Sequence, residues 1–134
     1  MATLRDIENG LPSGFHDARV HACEFNFGTR TLCFHHLEIS VGDPDSSDSD
    51  ERARYRAATL KFTEVAVCEF EAPHSIPALL TGKPLWIDLV QHDGDLLLDR
   101  DLPADLFRAC FFVQNWNGSV LIAARDAEFA WLPS

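Results

Sequence analysis

The side chains best suited to chemistry here are six histidines: His16, His21, His35, His36, His74 and His92. Imidazole titrates nearest neutral pH and is the commonest metal ligand, so its neighbours decide its use. Residues 15–27 read as a strand whose odd positions Phe15, His21, Cys23, Phe25 and Phe27 share a face, interrupted by Asp17 and Arg19. Thr31 to Val41 reads as the return strand, with Cys33, His35, Leu37, Ile39 and Val41 on one face. A three-residue connection, Gly28-Thr29-Arg30, sets Phe27 opposite Thr31, Phe25 opposite Cys33, Cys23 opposite His35 and His21 opposite Leu37. His21, Cys23 and His35 then gather on one face, a nitrogen and sulfur set that suits a transition metal. That same face is needed for the core, which favours packed histidines as scaffold. His36 falls on the other face with Glu24 and Glu38, where pairing of a surface cation with carboxylates is expected.

Other catalytic arrangements fare worse. Cys23 with His35 is a nominal nucleophile and base, but a reactive thiolate needs an electropositive, accessible setting that an apolar face does not supply. No GxSxG elbow, phosphate-cradling glycine loop or HExxH helix occurs. Asp17, at the start of its strand, suits a carboxylate accepting backbone N–H groups of a turn. The chain is therefore expected to be a binding protein without a cofactor, and not an enzyme.

Two features suit binding. Residues 42–51, GDPDSSDSDE, contain Asp43, Asp45, Asp48, Asp50 and Glu51, equal to half the formal net charge of −10, and no apolar residue. A flexible solvated loop is expected. It is no EF-hand loop, because counting from Asp43 the sixth and twelfth positions are Asp48 and Arg54 instead of Gly and Glu. Trp116, just before the Asn117-Gly118 turn signal, is a candidate contact residue at a loop tip. The acidic balance disfavours nucleic acid and permits a basic protein partner.

The elements that must position these residues are short and strand-like. Leu4, Ile7 and Leu11 at helical spacing, ended by Gly10, Pro12 and Gly14, predict one or two turns of helix. Residues 57–63 alternate Ala58, Leu60 and Phe62 against Thr59, Lys61 and Thr63, and residues 65–72 read as a further strand. Ser75 to Gly82 fits a single helical turn. Residues 85–92 and 95–99 form a hairpin pattern about Asp93-Gly94, and strands follow at 109–116, 119–124 and 128–132. The sum is one mainly β (α+β) domain over residues 1–134, an antiparallel sandwich or open barrel of about eight strands with one or two short helices. Its 134 residues, 46% hydrophobic, suffice for a core without staples. The cysteines Cys23, Cys33, Cys68 and Cys110 show no CxxC spacing and read as reduced core thiols. No membrane segment and no secretory leader is read in the chain, so a cytoplasmic location is expected. An open sheet with unpaired edges also allows an edge-to-edge homodimer.

Phe15-His16-Asp17-Ala18-Arg19-Val20, followed by Phe25, Gly28-Thr29-Arg30 and Thr31-Leu32, resembles the opening of small bacterial proteins with an L/F-H-D-A start. Arg56 to Phe62 followed by Val65 is similar to the RxATLxFxxV strand of the same group. The likeness covers residues 15 to about 70. These are mostly uncharacterised β-rich domains, some of which look like immunity proteins of polymorphic toxin systems. The resemblance implies a binding or neutralising role, which an acidic protein facing a basic toxin would suit.

Overall fold

The computed structural model describes residues 4–70, 85–91, 101–114 and 118–133. It is mainly β: two short helices, α1 (Leu4–Asn9) and α2 (Ser49–Arg52), and eight strands. The strands are β1 (Ala18–Asn26), β2 (Thr31–Ser40), β3 (Tyr55–Thr63), β4 (Val67–Phe70), β5 (Leu85–Gln91), β6 (Phe107–Val113), β7 (Gly118–Ala124) and β8 (Asp126–Trp131). They form one open antiparallel sheet in the order β4-β7-β6-β5-β1-β2-β3-β8. The helical turn at 75–82, the Asp93-Gly94 hairpin, strand 95–99, His74, His92 and Trp116 lie outside the described residues.

The sheet is strongly coiled. β6 and β2 stand three strand spacings apart, about 14 Å in a flat sheet. Yet the rings of Phe34 on β2 and Phe111 on β6 have centroids only 6.0 Å apart. Phe62 on β3 reaches the same ring at 6.5 Å. The inner face therefore packs on itself, around Phe15, Phe62 and Phe111, all fully buried, together with Leu37, Ile39, Leu60 and Ile87. Leu4 of α1 enters this core, with Ile7 and Leu11 packed against it as the helical spacing required.

β3 keeps the alternation read from its sequence, with Ala58, Leu60 and Phe62 completely buried. The β1–β2 hairpin does not follow the expected register. The ladder pairs Asn26 with Thr31, Phe25 with Leu32, Cys23 with Phe34, Ala22 with His35 and Val20 with Leu37. The connection is thus the four residues Phe27–Arg30, and every predicted pair slips by one. One local contact and one backbone conformation set this turn. The Asn26 side chain accepts a hydrogen bond from the Thr29 N–H (3.0 Å), and Arg30 adopts the left-handed conformation (φ 55°). That costly backbone is held from outside. The Arg30 guanidinium donates to the Val65 carbonyl (2.7 and 3.0 Å), and the Val65 N–H donates to the Arg30 carbonyl (2.9 Å).

A second departure lies at His35-His36. The β2–β3 register shifts between Phe34 and Leu37, and His36 takes φ 52°. This β-bulge puts two residues opposite one and reverses the inside–outside phase. Before it Leu32 and Phe34 are buried; after it Leu37 and Ile39 are. β1 changes phase alongside, since Ala18 and Val20 are buried but Phe25 is the residue that packs on the core further on. The single face expected for Cys33, His35, Leu37 and Ile39 therefore exists only in its second half.

Candidate functional site

Three clusters on the hairpin and its neighbours carry the chemistry. The first begins where the chain enters β1. Asp17 sits at φ 56°, and its N–H donates to Asp88 Oδ1 on β5 (3.0 Å). His16 Nδ1 meets the same oxygen at 2.7 Å. Gln114, just after β6, donates through Nε2 to Asp17 Oδ1 (3.0 Å) and to Asp88. The Tyr55 hydroxyl donates to the Asp17 carbonyl (3.3 Å). The Asp17 carboxylate thus accepts from the Gln114 side chain and, among the described residues, not from the backbone N–H groups of a turn as its position suggested, while its own N–H donates to a carboxylate from another strand.

The second cluster follows from the bulge. His21 on β1 is hydrogen-bonded through Nε2 to Glu38 on β2, and its ring meets that of His36 edge to face, with centroids 4.9 Å apart. One ligand atom from each of His21, His36 and Glu38 lies within 4.8 Å of the others. Arg19 pairs with Glu38 in the ladder, but turns its guanidinium onto the rings of Tyr55 (4.0 Å) and Trp86 (4.7 Å). Its stem is thereby covered, and its charge is directed away from Glu38.

The expected His21, Cys23 and His35 set is not brought together. Because the register slips, Cys23 lies opposite Phe34 and His35 opposite Ala22. His35 meets Cys33 (Nδ1 to Sγ 3.6 Å) and Glu24 (3.9 Å) instead. Among the described residues, only His21 of the three stands in a ligand cluster, with partners that the predicted register placed elsewhere. Sequence reasoning missed its true partner, because the His35-His36 doublet does not by itself mark a bulge. Partial burial raises the Cys23 thiol. Cys68 is pushed up to about 11 by burial first, and then by the nearby Cys23 and Glu69. Both thiols are therefore protonated at neutral pH, a poor state for a nucleophile.

The third cluster is apolar. Phe25, Phe27, Arg30, Ala66–Phe70 line an open groove of about 460 Å³ between the hairpin tip and edge strand β4. Phe27 is 80% exposed and Phe70 40%. Sequence reading assigned Phe27 to the core face; the four-residue turn removes it from the strand and leaves it outside.

The acidic segment is locally organised. Asp48 caps α2 by accepting from the Asp50 N–H, Asp43 accepts from the Asp45 N–H (2.9 Å), and Arg54 pairs with Glu51 (3.2 Å). Gly42 is required at its base, since a Cβ there would stand 2.0 Å from the Glu51 carbonyl oxygen. Asp43, Asp45, Asp48 and Asp50 remain exposed, and Glu51 is half-buried.

No family model, curated protein or solved structure matches this chain.

Proposed function

We propose that this is a non-enzymatic protein-binding domain whose contact surface is the aromatic groove between the hairpin tip and β4. The observation that carries the reading is the exposure of Phe27 beside Phe70. Aromatic side chains held in solvent next to a concave apolar surface are the usual anchors of protein interfaces. The partner is basic and presents an apolar side chain to the groove. Its charge is argued from the formal net charge of −10 and from Glu69 in the groove wall. Neutralisation of a basic toxin is the specific form of this role.

The acidic segment supports this reading as a steering element rather than as the contact. It joins β2 to β3 at the end of β2 away from the turn, a ten-residue strand or roughly 30 Å from the groove. Charges at that distance are screened at physiological salt, where the Debye length is about 8 Å. They accelerate approach at low salt and contribute little to the bound state.

Peptide-library selection on the folded protein tests the reading. Binders rich in Lys or Arg around one apolar anchor are expected, with binding abolished by Phe27→Ser and weakened by Phe70→Ser. Binders unaffected by both substitutions, or acidic ones, would overturn it. Light scattering distinguishes the alternative in which the edges of the open sheet pair two copies of the chain.

A further inference from the structure

We propose that His21, His36 and Glu38 form a binding site for a borderline divalent transition ion of the zinc type, apart from the aromatic groove. Two imidazole nitrogens and one carboxylate oxygen are the donor set for such ions, while Ca²⁺ and Mg²⁺ require more oxygen ligands than these residues offer. The ligand atoms lie within 4.8 Å of one another. A tetrahedral zinc with bonds near 2.05 Å needs its ligands about 3.3 Å apart, so small ring rotations close the site. His21 has 37% of its side chain exposed and Glu38 25%, so the ion has a path from solvent and a fourth coordination position facing water.

The backbone supplies the argument that separates this group from an ordinary surface pair. In a strand that kept the phase of Leu32 and Phe34, His36 and Glu38 would both face the core instead of the outer side on which His21 stands. The bulge and the left-handed φ of 52° bring the His36 ring to 4.9 Å from that of His21. Bulges re-aim side chains in this way beside functional sites. Among the described residues, the His36 ring has no hydrogen-bond partner, so its nitrogen lone pair is available. Arg19, opposite Glu38 in the ladder, lies against the rings of Tyr55 and Trp86, and among the described residues it makes no ion pair with the Glu38 carboxylate.

The other histidine–carboxylate group, His16, Asp17 and Asp88, also meets the distance condition. Its oxygens already accept from a backbone N–H and from the Gln114 amide, which stands between the two carboxylates. An ion there would have to displace three hydrogen bonds. It serves as the internal control.

Zinc titration of the full chain against a chromogenic chelator, with native mass spectrometry for stoichiometry, tests the proposal. One zinc per chain is expected, with calcium unable to compete. Outer-shell partners of metal sites are worth about 10- to 100-fold in affinity, so losing a directly bound ring costs at least about tenfold. His36→Asn, which tolerates the left-handed backbone, and His21→Gln should each show that loss. Glu38→Gln should weaken binding, while His16→Ala, Cys33→Ser and His35→Gln leave it unchanged. Absence of zinc uptake, affinity unaffected in a folded His21→Gln protein, or loss on His16→Ala would overturn it.

Discussion

The two histidine–carboxylate clusters contain the same residue types and stand on neighbouring parts of one sheet, yet they do opposite work. Around Asp88 every acceptor is engaged: His16, the Asp17 N–H and Gln114 converge on it, tying β1, β5 and the end of β6 together. Around Glu38, among the described residues, there is one hydrogen bond from His21, the ring contact of His21 with His36, and in His36 a histidine turned outward by a bulge. Ligand-type residues become a ligand site only where their lone pairs are left over from structural duty. Residue identity and proximity, which both clusters share, do not decide it.

The two sites should respond differently to metal and to substitution. The largest effect is expected from zinc itself. At a hundredfold excess over its dissociation constant, a ligand specific for the folded state adds about 2.7 kcal/mol of stability. Urea unfolding should show that gain in the wild type and in Asp88→Asn, and no more than about 1.4 kcal/mol of it in His36→Asn at the same zinc concentration. Next comes metal-free stability. Asp88→Ala strands several donors and should cost about 2 kcal/mol, whereas Glu38→Ala removes a surface pair and should cost less than about 1 kcal/mol. Equal costs at the two sites would end the distinction.

A third polar region provides a calibration. Asp48→Ala removes the α2 cap and should cost about 1 kcal/mol by chemical denaturation. Asp45→Ala, whose carboxylate caps no helix, should be close to neutral. Charge neutralisation of the whole segment should slow association with a basic partner at low salt only. The smallest effect concerns the thiols. Cys68 titrates near 11 in the folded protein, above its ordinary value of 9.0, so its proton favours the folded state. That contribution is complete below pH 9 and disappears as the pH rises through about 11. Unfolding followed across that range should show a shallow loss of stability, removed by Cys68→Ala.

What the sequence made legible follows from how regular each segment is. β3 could be read residue by residue because Ala58, Leu60 and Phe62 alternate without interruption and all point inward. α1 was equally readable from Leu4, Ile7 and Leu11. β2 was not, because the bulge consumes a residue and reverses the phase, and neither His35 nor His36 has a type that demands it. The turn misled for a related reason. Gly28 advertised conformational freedom, but Arg30 takes the left-handed position, held by its bonds to Val65 and its guanidinium over the Phe25 ring. Partners from distant strands were equally hidden. His16 and Asp17 drew notice in the sequence, while Asp88 and Gln114 lie 72 and 97 residues from them respectively. The exposure of Phe27 had no separate signal, since it depends on the length of the turn.

The strand order also governs how the chain can assemble. β1, β2 and β3 are sequential neighbours and can form as soon as they exist. The other edge of β1 waits for β5, β4 waits for β7, and β3 waits for the last strand of the chain. Such long-range closures carry a large loop-entropy cost before any contact rewards it, which places folding in the slow, β-dominated range of milliseconds to seconds. During synthesis the early three-strand meander therefore has both edges bare, and its apolar face lacks the half that covers it. The period between emergence of β3 and arrival of β8 is when this protein is most exposed to misassembly, and chaperone dependence should be concentrated there.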